Sequence, residues 1–321
     1  VGSSTVASIL TIGSFLLSTS VQFIGIASLA TVLVGVSWEI ALFLAALVTV
    51  AYTSFGGLKN DIATDFVQFW IIIFVFFSMI PIGWLKISSS TITQLPATHF
   101  DFFNYGGAVF FFGSLLLGSL GNLTQMDTWQ RVYSAKSSSI IRKAFTISFL
   151  ISIPLYIAPI IFGLWAKQLF PDINPEQGLF TLMKELLPVG FLGLGFSAIF
   201  AAAMSSIDSA IVAGSTSITN DIYAKFVHKN ASEHHLLNRA RLFAVLFSLV
   251  ALVIAYFVPN IVKFGILAMF TTMNMIPSII GGFFWKKANA SAAKWSLILG
   301  TIVLYVGWFT IGNNEWLPGL L

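Results

Sequence analysis

The chain has 321 residues, 57% of them hydrophobic and only 9% charged. A soluble domain carries roughly 25% charged residues, so the composition excludes a soluble globular protein and predicts an all-α integral membrane protein. Cysteine is absent, which excludes disulfides and thiolate metal sites, and the net charge of +4 informs only through its placement.

Taken in order, hydropathy marks about nine candidate spans, each near the roughly 20 residues that a bilayer needs. They run over approximately residues 5–35, 37–56, 63–86, 107–130, 142–167, 189–222, 238–258, 261–285 and 292–313. The chain opens at Val1 inside an apolar run without a charged leader, and the expectation is that the start of the protein is missing. Lys59, Arg131, Lys136, Arg142, Lys143, Lys225, Lys229, Arg239, Arg241, Lys286, Lys287 and Lys294 fall in one alternating set of loops. Only Lys86, Lys167, Lys184 and Lys263 fall in the other. The positive-inside rule makes the first set cytoplasmic. In a multi-pass cell (plasma) membrane protein Val1 is then cytoplasmic, and Leu321 ends on the extracellular or periplasmic face.

The third span opens with Thr64-Asp65-Phe66-Val67-Gln68, just after a cytoplasmic turn expected at Gly56-Gly57. Asp65 suits a helix cap; the other reading is an inner way-station for a cation. The fourth span starts apolar and then runs through Gly113, Gly118, Gly121, Asn122, Thr124, Gln125 and Asp127. Glycines followed by amides suit a helix that unwinds part way, and irregular backbone at membrane depth is tolerated where it lines a cavity or is buried in protein. The alternative is the cytoplasmic end of a tilted helix.

The sixth span contains FSAIFAAAMSSIDSAIVAGSTSITNDIY, residues 196–223. On a helix Ala202, Ser205, Ser206 and Ser209 share one face and Asp208 flanks it. Back-bonding and close helix packing explain two serines. They do not explain the aspartate, because a carboxylate inside a span costs several kcal/mol unless paired. Oxygen ligands without sulfur or imidazole suit a hard cation. This face reads as half of a small-cation site. The following loop holds His228, His234 and His235, read as solvated rather than as a metal cluster. The eighth span carries Thr271, Thr272, Asn274, Pro277 and Ser278, a polar and kinkable middle. Nucleotide loops, HExxH and a nucleophile elbow are all absent from the sequence. Neither an enzyme nor a nucleic-acid partner is expected.

Four stretches together resemble the sodium/solute symporter family, the relatives of the sodium–glucose and sodium–proline cotransporters. They are YTSFGGLKNDIATDFVQ (52–68), WQRVYSAKS (129–137), AAAMSSIDSAIVAGSTSITNDIY (201–223) and MIPSIIGGFFWKKANASAAKW (275–295). They occur in the family's order and span essentially the whole chain. The resemblance implies a leucine-transporter-like inverted-repeat fold, here lacking core helices one and two. Residues 1–321 then form a single transmembrane domain. Residues 1–86 supply core helices three to five, 105–286 core helices six to ten, and 291–315 an additional helix.

By the same resemblance the common sodium site takes the Ala202 carbonyl and the Ser205 and Ser206 hydroxyls. Its remaining ligands come from broken helix one, outside this sequence. Asp65, Asp208 and Ser209, with Ser205, correspond to a second cation site or exit path, and Asp208 stands where some two-sodium members have serine. The substrate cavity maps to Gly118, Gly121, Asn122, Gln125, Thr272 and Asn274. Sugar transporters place an asparagine and a tyrosine where Gly118 and Gly121 stand, and a lysine at Ser152, so the sugar pattern is not met. The implied function is sodium-coupled symport of a small organic solute by alternating access. The rivals are a proton-coupled symporter using Asp208 and a transporter-like sensor module of a larger signalling protein. Residues 1–321 alone, with half of the sodium ligands, are expected not to transport. Lipid bilayer and solute are the expected partners; the sequence does not give oligomeric state.

Overall fold

Long apolar runs without interior breakers become helices because lipid leaves backbone groups no other partner. The computed structural model describes the backbone of residues 2–87, 95–104, 107–257 and 260–310. Within these the side chains of residues 33, 52–61, 63, 109–110, 114, 117, 176 and 262–263 are not described. All regular structure among the described residues is helical. The helices are α1 Gly2–Val34, α2 Trp38–Lys86, α3 Gly107–Gly121, α4 Met126–Ser134, α5 Ser138–Leu169 and α6 Gly178–Leu186. They continue as α7 Val189–Ser217, α8 Glu233–Phe257, α9 Ile261–Met273, α10 Ile276–Phe284 and α11 Ala290–Thr310.

Capping follows ordinary rules. The Ser37 hydroxyl accepts from Ile40 N–H at the start of α2, and Ser137 does the same for Ile140 at the start of α5.

Seven helices among the described residues are long and apolar enough to cross a membrane, where about nine spans are expected. The second and fourth fall short, as the shorter apolar segments Trp38–Ala51 and Phe111–Thr124. The second is joined to the third: backbone hydrogen bonding is helical through Gly56-Gly57, where a turn is expected, and α2 runs for 49 residues. Its two ends nevertheless lie side by side on α7. Val75 comes beside Gly195, while Thr49 donates to the Met204 sulfur at 3.4 Å. A straight helix would carry Thr49 about 39 Å from Val75 at 1.5 Å per residue, whereas Gly195 and Met204 are only about 14 Å apart on α7.

The fourth span is interrupted, the first of the two readings open for its glycines and amides. α3 ends at Gly121, Asn122–Thr124 form a 3-10 turn, Gln125 is extended (φ −83°, ψ 114°), and α4 follows. α9 and α10 are separated by a tighter turn at Asn274 and Met275, where Met275 keeps helical dihedrals (φ −80°, ψ −18°). The two breaks adjoin, with Gly121 beside the Met273 side chain and the 3-10 turn against α10.

The main core lies among α1, the first part of α2, α7 and α8, around Phe23, Leu42, Ile207, Ile211 and Phe247. A second core joins the later part of α2 to α5, α6 and α7, around Met79, Phe162, Trp165 and Met183. Any side chain at Gly83 would collide with the Trp165 ring, so glycine is what lets α2 and α5 approach there. Basic residues of each loop set contact residues expected on the same side. Lys86 donates to the Glu185 carbonyl at 3.1 Å, Lys225 to Ser4 at 3.2 Å, and Lys294 lies beside Gly2.

Candidate functional site

α7 has two opposed faces. At 3.6 residues per turn, Met204, Ile207 and Ile211 point one way and Ala202, Ser205, Ser206 and Ser209 the other. The first stripe is buried against α1, α2 and α8. On the second, Ser206 is exposed and Ala202, Ser205 and Ser209 are half-buried. Ser205 Oγ and Ser206 Oγ each donate to the Ala202 carbonyl oxygen at 3.1 Å. Helical spacing of i, i+3 and i+4 is enough to gather the three. Both hydroxyls keep their lone pairs, and the side-chain bonds to the carbonyl are released only when both protons turn away. The result is a patch of three neutral oxygens, a donor set that suits a hard cation and no soft metal.

Asp208 is 3% exposed, on the flank between the serine face and the core stripe. One turn beyond Ser205, the Ser209 hydroxyl accepts from Arg131 Nη2 at 2.9 Å. The same nitrogen lies 3.0 Å from Asp65 Oδ2, and Arg131 Nη1 lies 3.0 Å from Asp127 Oδ2. One guanidinium thus ties α2, α4 and α7 together. Asp65 and Ser209, expected as neighbours, are joined through it. Asp65 is therefore an ion-pair partner well inside α2 rather than the cap of a new helix, because α2 begins at Trp38. Asp65 Oδ1 and Asp127 Oδ1 are buried without a hydrogen-bond partner among the described residues.

The expected cavity residues divide into two groups. Gly118, Gly121, Asn122 and Gln125 lie at or near the α3–α4 break; Gly118 and Asn122 are exposed, Gly121 and Gln125 half-buried. Thr272 is 2% exposed and donates to the Met269 carbonyl at 2.9 Å. Asn274 Nδ2 donates to the Leu297 carbonyl at 3.0 Å and to Thr301 Oγ1 at 2.9 Å, so its amide ties the α9–α10 break to α11. An open groove of about 730 Å³ lies elsewhere, between α1, α2 and α7, with Ile26, Leu29, Thr64, Gln68 and Phe200 among its lining. The Gln68 side-chain oxygen is buried without a hydrogen-bond partner among the described residues.

Arg131, Asp127 and Gln68 escape a reading for site residues. The usable signals are the i, i+4 spacing of Asp127 and Arg131 just past the glycine–amide break, and the i, i+3 spacing of Asp65 and Gln68. In the histidine loop His228 and His234 are exposed, in keeping with a solvated loop. His228 and His235 stack at 5.0 Å, and the Tyr223 hydroxyl meets His235 Nε2 at 3.0 Å. Among the described residues no group of three or more His, Asp or Glu side chains is gathered for a metal ion.

The profile of the sodium:solute symporter family matches residues 3–300. The chain belongs to this family. Its members are sodium-coupled transporters rather than enzymes. Among similar proteins, the sodium/proline symporter of Haemophilus influenzae is 27% identical over 314 residues, covering 88% of this chain and 62% of the relative. The sodium/glucose cotransporter of Vibrio parahaemolyticus is 26% identical over 317 residues, covering 86% of this chain and 58% of the relative. The chain therefore spans about three fifths of the length of these relatives. A solved structure of a Na+-coupled sialic acid symporter, substrate-bound and outward-open, superposes with a TM-score of 0.65 at 20% identity. It covers 93% of this chain and 74% of that one, and the likeness extends to the fold. Membership and the apolar helices together make this a multi-pass membrane protein.

Proposed function

We propose that the chain forms the main part of a sodium-coupled symporter for a small organic solute, working by alternating access. The observation that carries this reading is the open oxygen patch of Ala202, Ser205 and Ser206. Sodium binds there, with its remaining ligands from outside this face, and ties α7 to its neighbour in the outward-open state. Asp65 and Ser209, one turn further along, form a second cation site or exit path. The solute sits by the adjoining breaks at Gly121 to Gln125 and Met273 to Met275. Residues 1–86 are the remainder of the first repeat, core helices three to five, and 105–286 are the second. The basic loops face the cytoplasm, placing Val1 inside. Each sodium ion then gains about 2.3 kcal/mol per 100 mV of membrane potential.

A second reading, coupling to protons through Asp208, is favoured by one observation: this carboxyl is 3% exposed. One experiment separates the two. Uptake of a panel of labelled solutes is measured with the full-length protein in proteoliposomes, under a sodium gradient or a proton gradient. Asp208→Asn and Ser206→Ala are run in parallel. Sodium symport predicts accumulation that needs sodium, weakened sodium activation in Ser206→Ala, and partial survival in Asp208→Asn. Accumulation that follows the proton gradient, ignores sodium and is lost in Asp208→Asn would replace it.

A further inference from the structure

Resting on the reading that the basic loops face the cytoplasm, we propose that the junction of α7 with α8 is a clasp operated by cytoplasmic pH. Neutral His235 fastens the inner end of α7 to α8, and a proton on its Nε2 lets the two part.

The clasp closes on a segment of rare geometry. Beyond Ser217 the helix of α7 continues over Ile218–Val227 as a π-helix, and the His228 N–H donates to the Tyr223 carbonyl five residues back at 2.9 Å. π-helices are mostly single turns and frequently mark functional sites. Side chains hold this one on two sides. Toward α1, Asp221 accepts from the Ser8 hydroxyl at 2.9 Å and pairs with Lys225 at 2.9 Å. Toward α8, the Tyr223 hydroxyl lies 3.0 Å from His235 Nε2, and Arg239 Nε donates to the same nitrogen at 3.4 Å.

That nitrogen sets the protonation state of the ring. A guanidinium only donates, so Nε2 offers its lone pair and His235 is the neutral tautomer with its proton on Nδ1. The Tyr223 hydroxyl is then a donor as well. A proton on Nε2 removes the lone pair that both donors use. It also sets an imidazolium against the Arg239 guanidinium, and like charges at that separation repel. Neighbouring groups do not offset this. His228 stacks on His235 at 5.0 Å and adds a further positive charge when it titrates. The other ionisable side chains on the π-segment, the loop and the first turns of α8 are Asp221, Lys225, Lys229, Glu233, His234 and Arg241, and Asp221 already holds Lys225. α1 brings no ionisable side chain. The first part of α2, up to Ala51, also packs on α8 and carries only Glu39, in its opening turn. Histidine is the side chain that changes charge between about pH 5 and 8. The same helix carries the oxygen patch of Ala202, Ser205 and Ser206, so the clasp sets how firmly that helix is fixed to the core.

The test uses the full-length protein in nanodiscs, on a background free of other cysteines, with spin labels at Val227→Cys and Leu237→Cys. Both positions are exposed, one on each side of the junction. The distance between the labels is read by electron paramagnetic resonance at about pH 8 and about pH 5. The clasp predicts a rise of several ångströms on acidification. His235→Gln, which carries no charge at either pH, is expected to keep the short distance at both, and His235→Lys to show the long one at both. Arg239→Gln should lose most of the shift. If His235→Lys does not reach the membrane, His235→Gln decides. A shift of wild-type size in His235→Gln, or no shift in the parent, overturns the clasp. In right-side-out vesicles the labels should follow internal pH alone. A response to external pH alone overturns the orientation on which the proposal rests and leaves the clasp standing.

Discussion

Two polar clusters lie one helical turn apart on α7, and they are built in opposite ways. The Ala202–Ser205–Ser206 patch comes from a single helix, and its geometry follows from residue spacing. The Ser209 cluster draws Asp65 from α2 and Asp127 and Arg131 from α4. The first patch is neutral and changes little when neighbouring helices shift. The second is charged, and any movement of α4 against α2 or α7 remakes it.

The largest effect that tests this contrast comes from the serines. The double variant Ser205→Ala/Ser206→Ala is expected to raise the sodium concentration for half-maximal uptake about 100-fold, about tenfold per charge-assisted contact. Melting temperature should barely move, because neither hydroxyl holds another helix. Unchanged sodium activation would make the patch a packing feature. Asp65→Asn should shift sodium activation about tenfold if Asp65 serves the proposed cation path, and also alter α4 accessibility, because Asp65 pairs with Arg131 of α4. A shift in activation without any change at α4 would separate the two clusters.

Asn274→Ala tests a residue that belongs to neither cluster. It removes two hydrogen bonds to α11 and should lower stability by about 1 kcal/mol, read as a fall in melting temperature, with sodium activation unaltered. Loss of solute affinity at unchanged stability would instead return Asn274 to the cavity lining expected from the sequence. The smallest effect is that of Asp127→Asn on sodium activation, about two- to threefold, since its pair with Arg131 is a half-exposed i, i+4 contact.

Legibility followed the range of the interaction. The α3–α4 break was readable because glycines and amides crowd into Gly118 to Gln125. Asn274 was read as a cavity residue because a polar side chain in a span attracts that reading. Its partners Leu297 and Thr301 lie more than twenty residues away and are invisible to local pattern. Gly56-Gly57 looked like a turn because glycine weakens helices by about 1 kcal/mol relative to alanine, yet backbone hydrogen bonding is helical there.

By itself, the sequence determined the membrane class, the helical periodicities and the oxygen patch on α7. Composition and spacing act within one helix, and lipid forces each span to satisfy its own backbone. Only the tertiary structure decided that Arg131 stands between Asp65 and Ser209, that Asn274 is tied to α11, and that the two interrupted helices adjoin. Those contacts depend on the register of one helix against another, which packing across the whole bundle sets.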